Sequence, residues 1–523
     1  MMEFGYTVAT HTRSPVMETK LLSEKYRERL DGVLHCYDRV IIIGSLHPFC
    51  YAHGMTKYLY AHQIRIFDYA RFAEPLGDTI RTNAEALAKE NNLTIEFIRK
   101  RTFRKEKRIQ AILNKRGTHP GLVHIFSAME SCETYQPWHD KTTGKTFLKP
   151  DTSKCLHYYF YFMDAELGLC YLRVPTWCPF RLQFYFNAHA WLATQLKQKG
   201  IVYEQRDNAF VRIADYAVAN QLAAQFDVAT RHAQLDGFAQ RYCPILHTLN
   251  LTYHWSLLQV EYATDLVFRQ RQDLQAFYPH LLETLIHTVK PENIATFLGR
   301  KLHGNYQGEL DSRYNVRELG TRLKHTMKSA TLKMYDKFGL ILRIETATTD
   351  VSFFQQYREV QHRDGTCEQK WAPMKKTIYS LPPLREVLEA ANRRYLEFIS
   401  EIETPEVGVQ RLQRLTQTQT EQQHRYKGFD LLAEEDASIL RLLLRGEFSI
   451  SGMTCRALRA LLPEKTAAQV GRLLKRLRVH GLIRKVSKRY KYYLTALGRQ
   501  VATMALKLRE MYVIPTLAHA SVA

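Results

Sequence analysis

A chain of 523 residues with 45% hydrophobic residues has room for roughly three to four domains of about 150 residues each, with real cores, which excludes a wholly disordered chain. Its formal net charge of +22 and pI near 9.5 point towards a polyanionic partner. Nine cysteines without a Cys-x-x-Cys pair, and no apolar run of signal-peptide or membrane-span length, exclude a disulfide framework and lead to the expectation of a cytoplasmic protein with no membrane partner.

Taken in order, residues 1 to about 20 read as a loose leader and Leu21–Leu30 as a charged helix. Arg39–Gly44 is strand-like, as is Ile64–Phe67, and residues 76–92 form an amphipathic helix. The densest positive run follows, with Arg99, Lys100, Arg101, Arg104 and Lys105 candidate phosphate contacts and Phe103 available to stack on a base. Residues 120–150 are rich in turn formers, and His139-Asp140 suits a capped turn. The aromatic run His157–Phe162 then reads as a strand that turns after Asp164 and returns through Leu169–Val174. A helix is expected over Phe184–Lys199 and a strand over Ile201–Gln205, running into Asp207.

Carboxylates at strand ends are what divalent-metal chemistry on phosphodiesters requires. Asp164 and Asp207 occupy such places, with Glu261 and Glu345 as further metal-ligand candidates. This order resembles metal-dependent nucleases and transposases of the ribonuclease-H type, although a third strand before the helix cannot be placed. The resemblance implies catalysis by Asp164, Asp207 and Glu345 with Mg²⁺ or Mn²⁺; no cofactor is otherwise indicated. A second hairpin, Ala330–Lys337 and Leu340–Thr346, is similar to a segment of rolling-circle replication initiators. That similarity implies Glu345 as a ligand and Lys333, Lys337 and Arg343 as phosphate contacts. The initiators' His-hydrophobe-His motif is missing. The two hairpins, near 160 and near 335, could be halves of a distant duplication. A long helix then runs from Leu384 to Ile402, and residues 404–428 read as a linker.

Phe429–Arg509 carries the clearest pattern. Glu434–Arg445 and Thr454–Leu462 read as helices. Thr466-Ala467-Ala468-Gln469 is a capping box. Val470, Leu473, Leu474 and Leu477 form one apolar stripe, and Gly481 suits a left-handed C′ position. Two strand-like runs around Ser487-Lys488-Arg489 complete a helix–helix–helix–hairpin order. Leu473–Ile483 resembles the recognition helix and wing of winged-helix regulators of the multiple-antibiotic-resistance type. The resemblance implies nucleic-acid contacts by Arg472, Lys475, Arg476 and Arg478, and by Arg484, Lys485, Lys488 and Arg489 on the wing.

The expected fold is α+β and multidomain. Mixed α/β N-terminal and central domains (1–130, 131–235 and 236–403) carry aromatic β-hairpins, and a winged helix occupies 429–523. The expected function is nucleic-acid binding, duplex DNA favoured, associated with DNA processing or a mobile element; the chain could act as a homodimer. The alternatives are a metal-dependent transposase or replication initiator, and an RNA-binding component of a ribonucleoprotein with exposed tyrosines as stacking platforms.

Overall fold

Two long strands lie side by side at the centre of the larger part of the molecule. They are β1 (Leu30–Leu46) and β9 (Tyr253–Phe268), paired antiparallel. Stretches such as Val40–Ile43 and Leu266–Phe268 are apolar throughout, because both faces of the sheet are covered. The computed structural model describes residues 20–302, 308–317, 320–362, 364–402, 405–486 and 490–519. The chain is α+β, with one unit up to Glu403 and a second from Thr404.

In the first unit, β1 is followed by helices Ala52–Ala61, Tyr69–Glu90 and Lys105–Arg116, with the short β2 (Ile95–Phe97) between the last two. Then come β3 (Gly121–His139), β4 (Thr146–Asp164), β5 (Gly168–Pro175) and β6 (Leu182–Asn187), and helix Ala188–Gln198. A separate hairpin, β7 (Tyr203–Arg206) and β8 (Ala209–Ile213), and more helices lead to β9. After β9 the pattern returns: helices, then β10 (Leu310–Arg317), β11 (Gly320–Met327), β12 (Ala330–Lys337) and β13 (Ile341–Thr348). The hairpin of β14 (Gln355–Gln361) and β15 (Cys367–Pro373) precedes the long helix Leu381–Ile402.

The eleven strands run β10-β11-β12-β13-β9-β1-β6-β5-β4-β3-β2. The two halves share one topology. Each opens on a long strand, leaves the sheet through helices, and comes back as a meander whose last strand pairs with the first: β6 with β1, β13 with β9. The helix Ala188–Gln198 packs on β1 and the helix Leu381–Ile402 on β9. The repeat of topology is therefore one of whole halves. In it the hairpin near 335 (β12–β13) matches β5–β6, not the aromatic β4–β5 near 160.

The helix Tyr69–Glu90 shows how the faces are covered. Tyr69, Ala73, Leu76, Ile80, Ala84 and Leu87 recur every three or four residues and are buried. Truncating a core residue such as Ile80 costs about 2–5 kcal/mol. Gly77 lies on the same helix because a Cβ there would meet the Thr176 carbonyl oxygen at 2.3 Å.

Several expectations change. Residues 120–150 are mostly strand, not loop. Pro137 and Pro150 each lie within the long β3–β4 ladder, so the prolines do not break it. Leu182–Asn187 supplies the strand before the helix that the sequence left unplaced. Ile66–Asp68 is a single 3₁₀ turn, and Leu22–Lys25 is one helical turn before β1. The three proposed N-terminal and central domains share one sheet, so they are a single unit.

The second unit begins earlier than 429. The expected linker contains helix Pro405–Thr416 and a hairpin of β16 (Gln419–Glu421) and β17 (His424–Tyr426). Helices Glu434–Leu443, Gly446–Ser451, Cys455–Leu461 and Ala467–Val479 follow, then the hairpin of β18 (Ile483–Val486) and β19 (Lys491–Leu494), and helix Ala496–Leu508. Its core holds Leu440, Leu443, Leu458, Val470, Leu474, Leu477 and Leu482.

Candidate nucleic-acid interface

The helix Ala467–Val479 starts as its sequence dictates. Gln469 N–H donates to the Thr466 hydroxyl at 3.3 Å, and Thr466 N–H donates to Gln469 Oε1 at 2.7 Å. Val470, Leu473, Leu474 and Leu477 are buried, and Gly481 follows the helix at φ +77°. The basic residues then divide into two groups. Arg472 is exposed, as are Arg484 and Lys485 on β18, and none of the three forms an ion pair among the described residues. Lys485 Nζ lies 4.1 Å from the centre of the exposed Tyr490 ring. Lys488 and Arg489 lie outside the described residues.

Arg476, Lys475 and Arg478 correct the sequence reading. The Arg476 guanidinium turns inward. It donates to Asp436 at 2.9 and 3.0 Å and to the carbonyls of Lys427 and Gly428, and it stacks 3.8 Å from the Phe429 ring centre. A cation three residues before the end of a capped helix faces whatever packs there, and here that is helix Glu434–Leu443 and the segment that leads into it. Lys475 and Arg478 both pair with Glu421 of β16. Hydrogen bonding from Lys475 is the chief cause that lowers the pKa of the half-exposed Glu421 carboxyl. Glu421 and the hairpin were missed because their stretch reads as polar and low in periodicity; Asp436 lies in a helix that was read, but its pairing with Arg476 forty residues on has no local signal.

In the basic run of the first unit, Arg99, Lys100, Arg101 and Arg104 are exposed. Lys105 is not free: its ammonium lies 3.4 Å from the Tyr159 ring centre and 4.0 Å from Glu130. Phe103 packs edge-on against Phe126 and belongs to a small core, so it is not a stacking platform. Tyr158, Tyr159 and Tyr161 are likewise buried.

The proposed carboxylate site separates. Asp164 closes the β4–β5 turn, accepting from the N–H groups of Glu166 and Leu167 at 2.9 Å. Asp207 is exposed at the β7–β8 turn with φ +52°. That hairpin stands outside the main sheet, so a ribonuclease-H arrangement is not formed. Glu261 and Glu345 do converge, and their partner is Asp38: oxygens of the three lie within 4.8 Å of one another. They come from β9, β13 and β1, beside a cavity of about 430 Å³.

The cations within this cluster decide its character. Arg343 is fully buried and grips Asp265 with two hydrogen bonds of 2.6 Å, Asp38 with one of 3.1 Å, and the Asn208 carbonyl. Asn208 donates to both oxygens of Asp38 at 2.7 and 2.8 Å. Burial is the largest influence and works to raise the Asp38 pKa, but Arg343, His189, Asn208 and Lys337 together outweigh it and hold the carboxyl below its ordinary value. Lys333 sits against Glu345 and 3.5 Å from Glu261, and the Tyr335 hydroxyl donates to Glu345 at 2.7 Å. Burial, then repulsion from Glu345, raises the Glu261 pKa.

Carboxylates are suitable donors for Mg²⁺ or Mn²⁺. Here, however, the Lys333 ammonium already bridges Glu261 and Glu345, and Asp38 is already bound by Arg343 and Asn208. The residues present do not fit a divalent centre. Glu345, Lys333, Lys337 and Arg343 are thus members of a buried ionic network rather than catalytic or phosphate-contacting groups. Asp38 could have been noticed as a carboxylate just before the apolar run Val40–Ile43 of β1, since a buried charge must be paired.

No family model matches the chain, and no curated protein matches it.

Proposed function

We propose that the protein binds nucleic acid, duplex DNA in preference, through its second unit, which we read as a winged helix. Between residues 404 and 523, twenty-one Lys and Arg stand against nine Asp and Glu, so this part carries more than half of the chain's net charge. The observation that carries the reading is the placement of Arg472, Arg484 and Lys485. They are exposed, without carboxylate partners among the described residues, on the first turns of a capped helix and on the hairpin that follows it. In this mode the start of the helix reads the major groove and the hairpin meets a phosphate backbone. Lys475 and Arg478 are secondary contacts at most while Glu421 holds them. The exposed Arg99–Arg104 run would add sequence-independent affinity.

The test is fluorescence anisotropy of the full chain with duplex DNA, single-stranded DNA and structured RNA of equal length across a salt series. Duplex DNA is expected to bind tightest, with affinity falling steeply with salt. Combined R472A, R484A and K485A should flatten the salt slope by about 0.9 per lost contact. Duplex binding that is absent at low salt, or unchanged in the triple variant, would refute the reading.

A further inference from the structure

The hairpin of β14 and β15 stands outside the eleven-strand sheet, and its two faces differ. On one face lie the cross-strand pairs Gln356–Ala372, Arg358–Lys370 and Val360–Glu368, with Ala372 buried. On the other lie Gln355–Pro373, Tyr357–Trp371, Glu359–Gln369 and Gln361–Cys367, and every one of these residues is exposed. Tyr357 is 58% exposed and Trp371 66%. Their ring centres are 5.9 Å apart at 61°, so the rings meet edge to face and each keeps a face open to solvent. The hairpin that carries them is well held. Arg358 donates to the Pro373 carbonyl at 3.2 and 3.1 Å and to the Glu359 carbonyl at 3.0 Å. Met374 N–H donates to the Phe354 carbonyl at 3.0 Å, where both side chains are buried.

We propose that Tyr357 and Trp371 form a stacking platform for unpaired bases of single-stranded DNA. The make-up of the exposed face selects this occupant. Beside the two rings stand three glutamines, Gln355, Gln361 and Gln369, and no aliphatic side chain other than Pro373. There is thus no apolar core of the kind a protein interface buries. Aromatic rings stack on base faces whatever the sequence, and side-chain amides both donate to and accept from base edges. Base faces are free only where strands are unpaired. Charge agrees: across residues 355–376 five Lys and Arg stand against three Asp and Glu. Arg358 spends its hydrogen bonds on neutral carbonyls, and neither it nor the exposed Lys375 forms an ion pair among the described residues, so their charge remains for phosphates. DNA rather than RNA is named because of the duplex preference proposed for the second unit, and that part rests on that reading. The platform itself uses none of Arg472, Arg484 and Lys485.

The full chain is titrated with an oligothymidylate of about ten nucleotides, followed by tryptophan emission and by anisotropy of a labelled strand. Emission should be quenched in the unaltered chain and not in W371F. An abasic strand of the same length, which keeps the phosphates and lacks the bases, should not quench. Y357A combined with W371A should weaken oligothymidylate binding about tenfold or more and leave duplex affinity unchanged. Both side chains are exposed, so the fold should stand in the double variant. In combined R472A, R484A and K485A the quench should persist, which separates failure of the duplex reading from failure of the platform. Quenching that survives W371F, equal quenching by the abasic strand, or unchanged oligothymidylate affinity in the double variant would overturn the proposal. So would tighter binding of an oligouridylate, which assigns the rings to RNA. So, too, would a change in Trp371 emission with protein concentration in the absence of nucleic acid, which assigns them to a second copy of the chain.

Discussion

Arg478 on the capped helix donates two hydrogen bonds, of 3.0 and 3.1 Å, to Glu421 at the end of β16. The same carboxylate holds Lys475, and the turn beyond it, Gln422-Gln423, is in the left-handed region at both residues. One carboxylate thus withholds two cations from solvent on the helix assigned to nucleic acid. In E421Q both cations are released. Duplex affinity at about 0.1 M salt should rise roughly threefold to tenfold, with a steeper salt slope. An unchanged slope in the anisotropy titration would show that these two side chains take no part.

R476A should act on folding before it acts on binding. Asp436 would lose its partner, and breaking a mostly buried pair on one side costs about 3 kcal/mol. Hydrogen exchange across Glu434–Leu443 should speed up in this variant and remain slow in R472A, whose side chain is exposed. Equal protection in the two variants would count against the inward role of Arg476.

R343M should destabilise the first unit by about 3–5 kcal/mol, since it leaves Asp38 and Asp265 buried without their shared cation. All five tryptophans lie in this unit, so urea unfolding followed by tryptophan fluorescence reports on it alone. Adding D265N to R343M should recover part of the loss. No recovery would mean that packing, rather than charge, is the main contribution of Arg343.

Acid should weaken the first unit in a defined window. His157, His189 and His325 are each lowered to about 4, with burial the largest cause. Unfolded, they titrate near 6.5. Between these values the unfolded chain binds more protons, so stability rises with pH through the window and is lost as pH falls through it. The slope should approach about 1.4 kcal/mol per pH unit for each histidine. The urea midpoint measured at pH 7.5, 5.5 and 4.5 tests this, and H325L should reduce the slope. A flat profile would contradict the neutral, buried imidazoles.

What could be read in the sequence was local. The Thr466 capping box, the stripe from Val470 to Leu477 and the hairpin after Gly481 are set by neighbours a few residues apart, and all three are present. The Ala330–Thr348 hairpin was equally legible. The half-to-half repeat of topology was not, because it depends on pairing β1 with β9 across more than two hundred residues, and no local period announces that. The same limit applies to side chains. Arg476 and Arg478 look alike on a helix diagram, yet Asp436 and Glu421, forty and fifty-seven residues earlier, decide what each one does. Of the four carboxylates grouped in the sequence, Glu261 and Glu345 meet while Asp164 and Asp207 stand apart, and Lys333, which bridges the first two, was read as a phosphate contact because its sign alone was considered.

The seam between β1 and β9 has one more consequence. Two antiparallel neighbours with equivalent surroundings are related much as two subunits about a dyad, and such a join is self-complementary. A chain severed before Tyr253 would leave each fragment with a bare ladder sixteen or seventeen residues long, a template that seeks another strand. Either fragment alone should therefore cap that edge with a second copy of itself, so that covalent linkage in the intact chain replaces what would otherwise be homodimerisation.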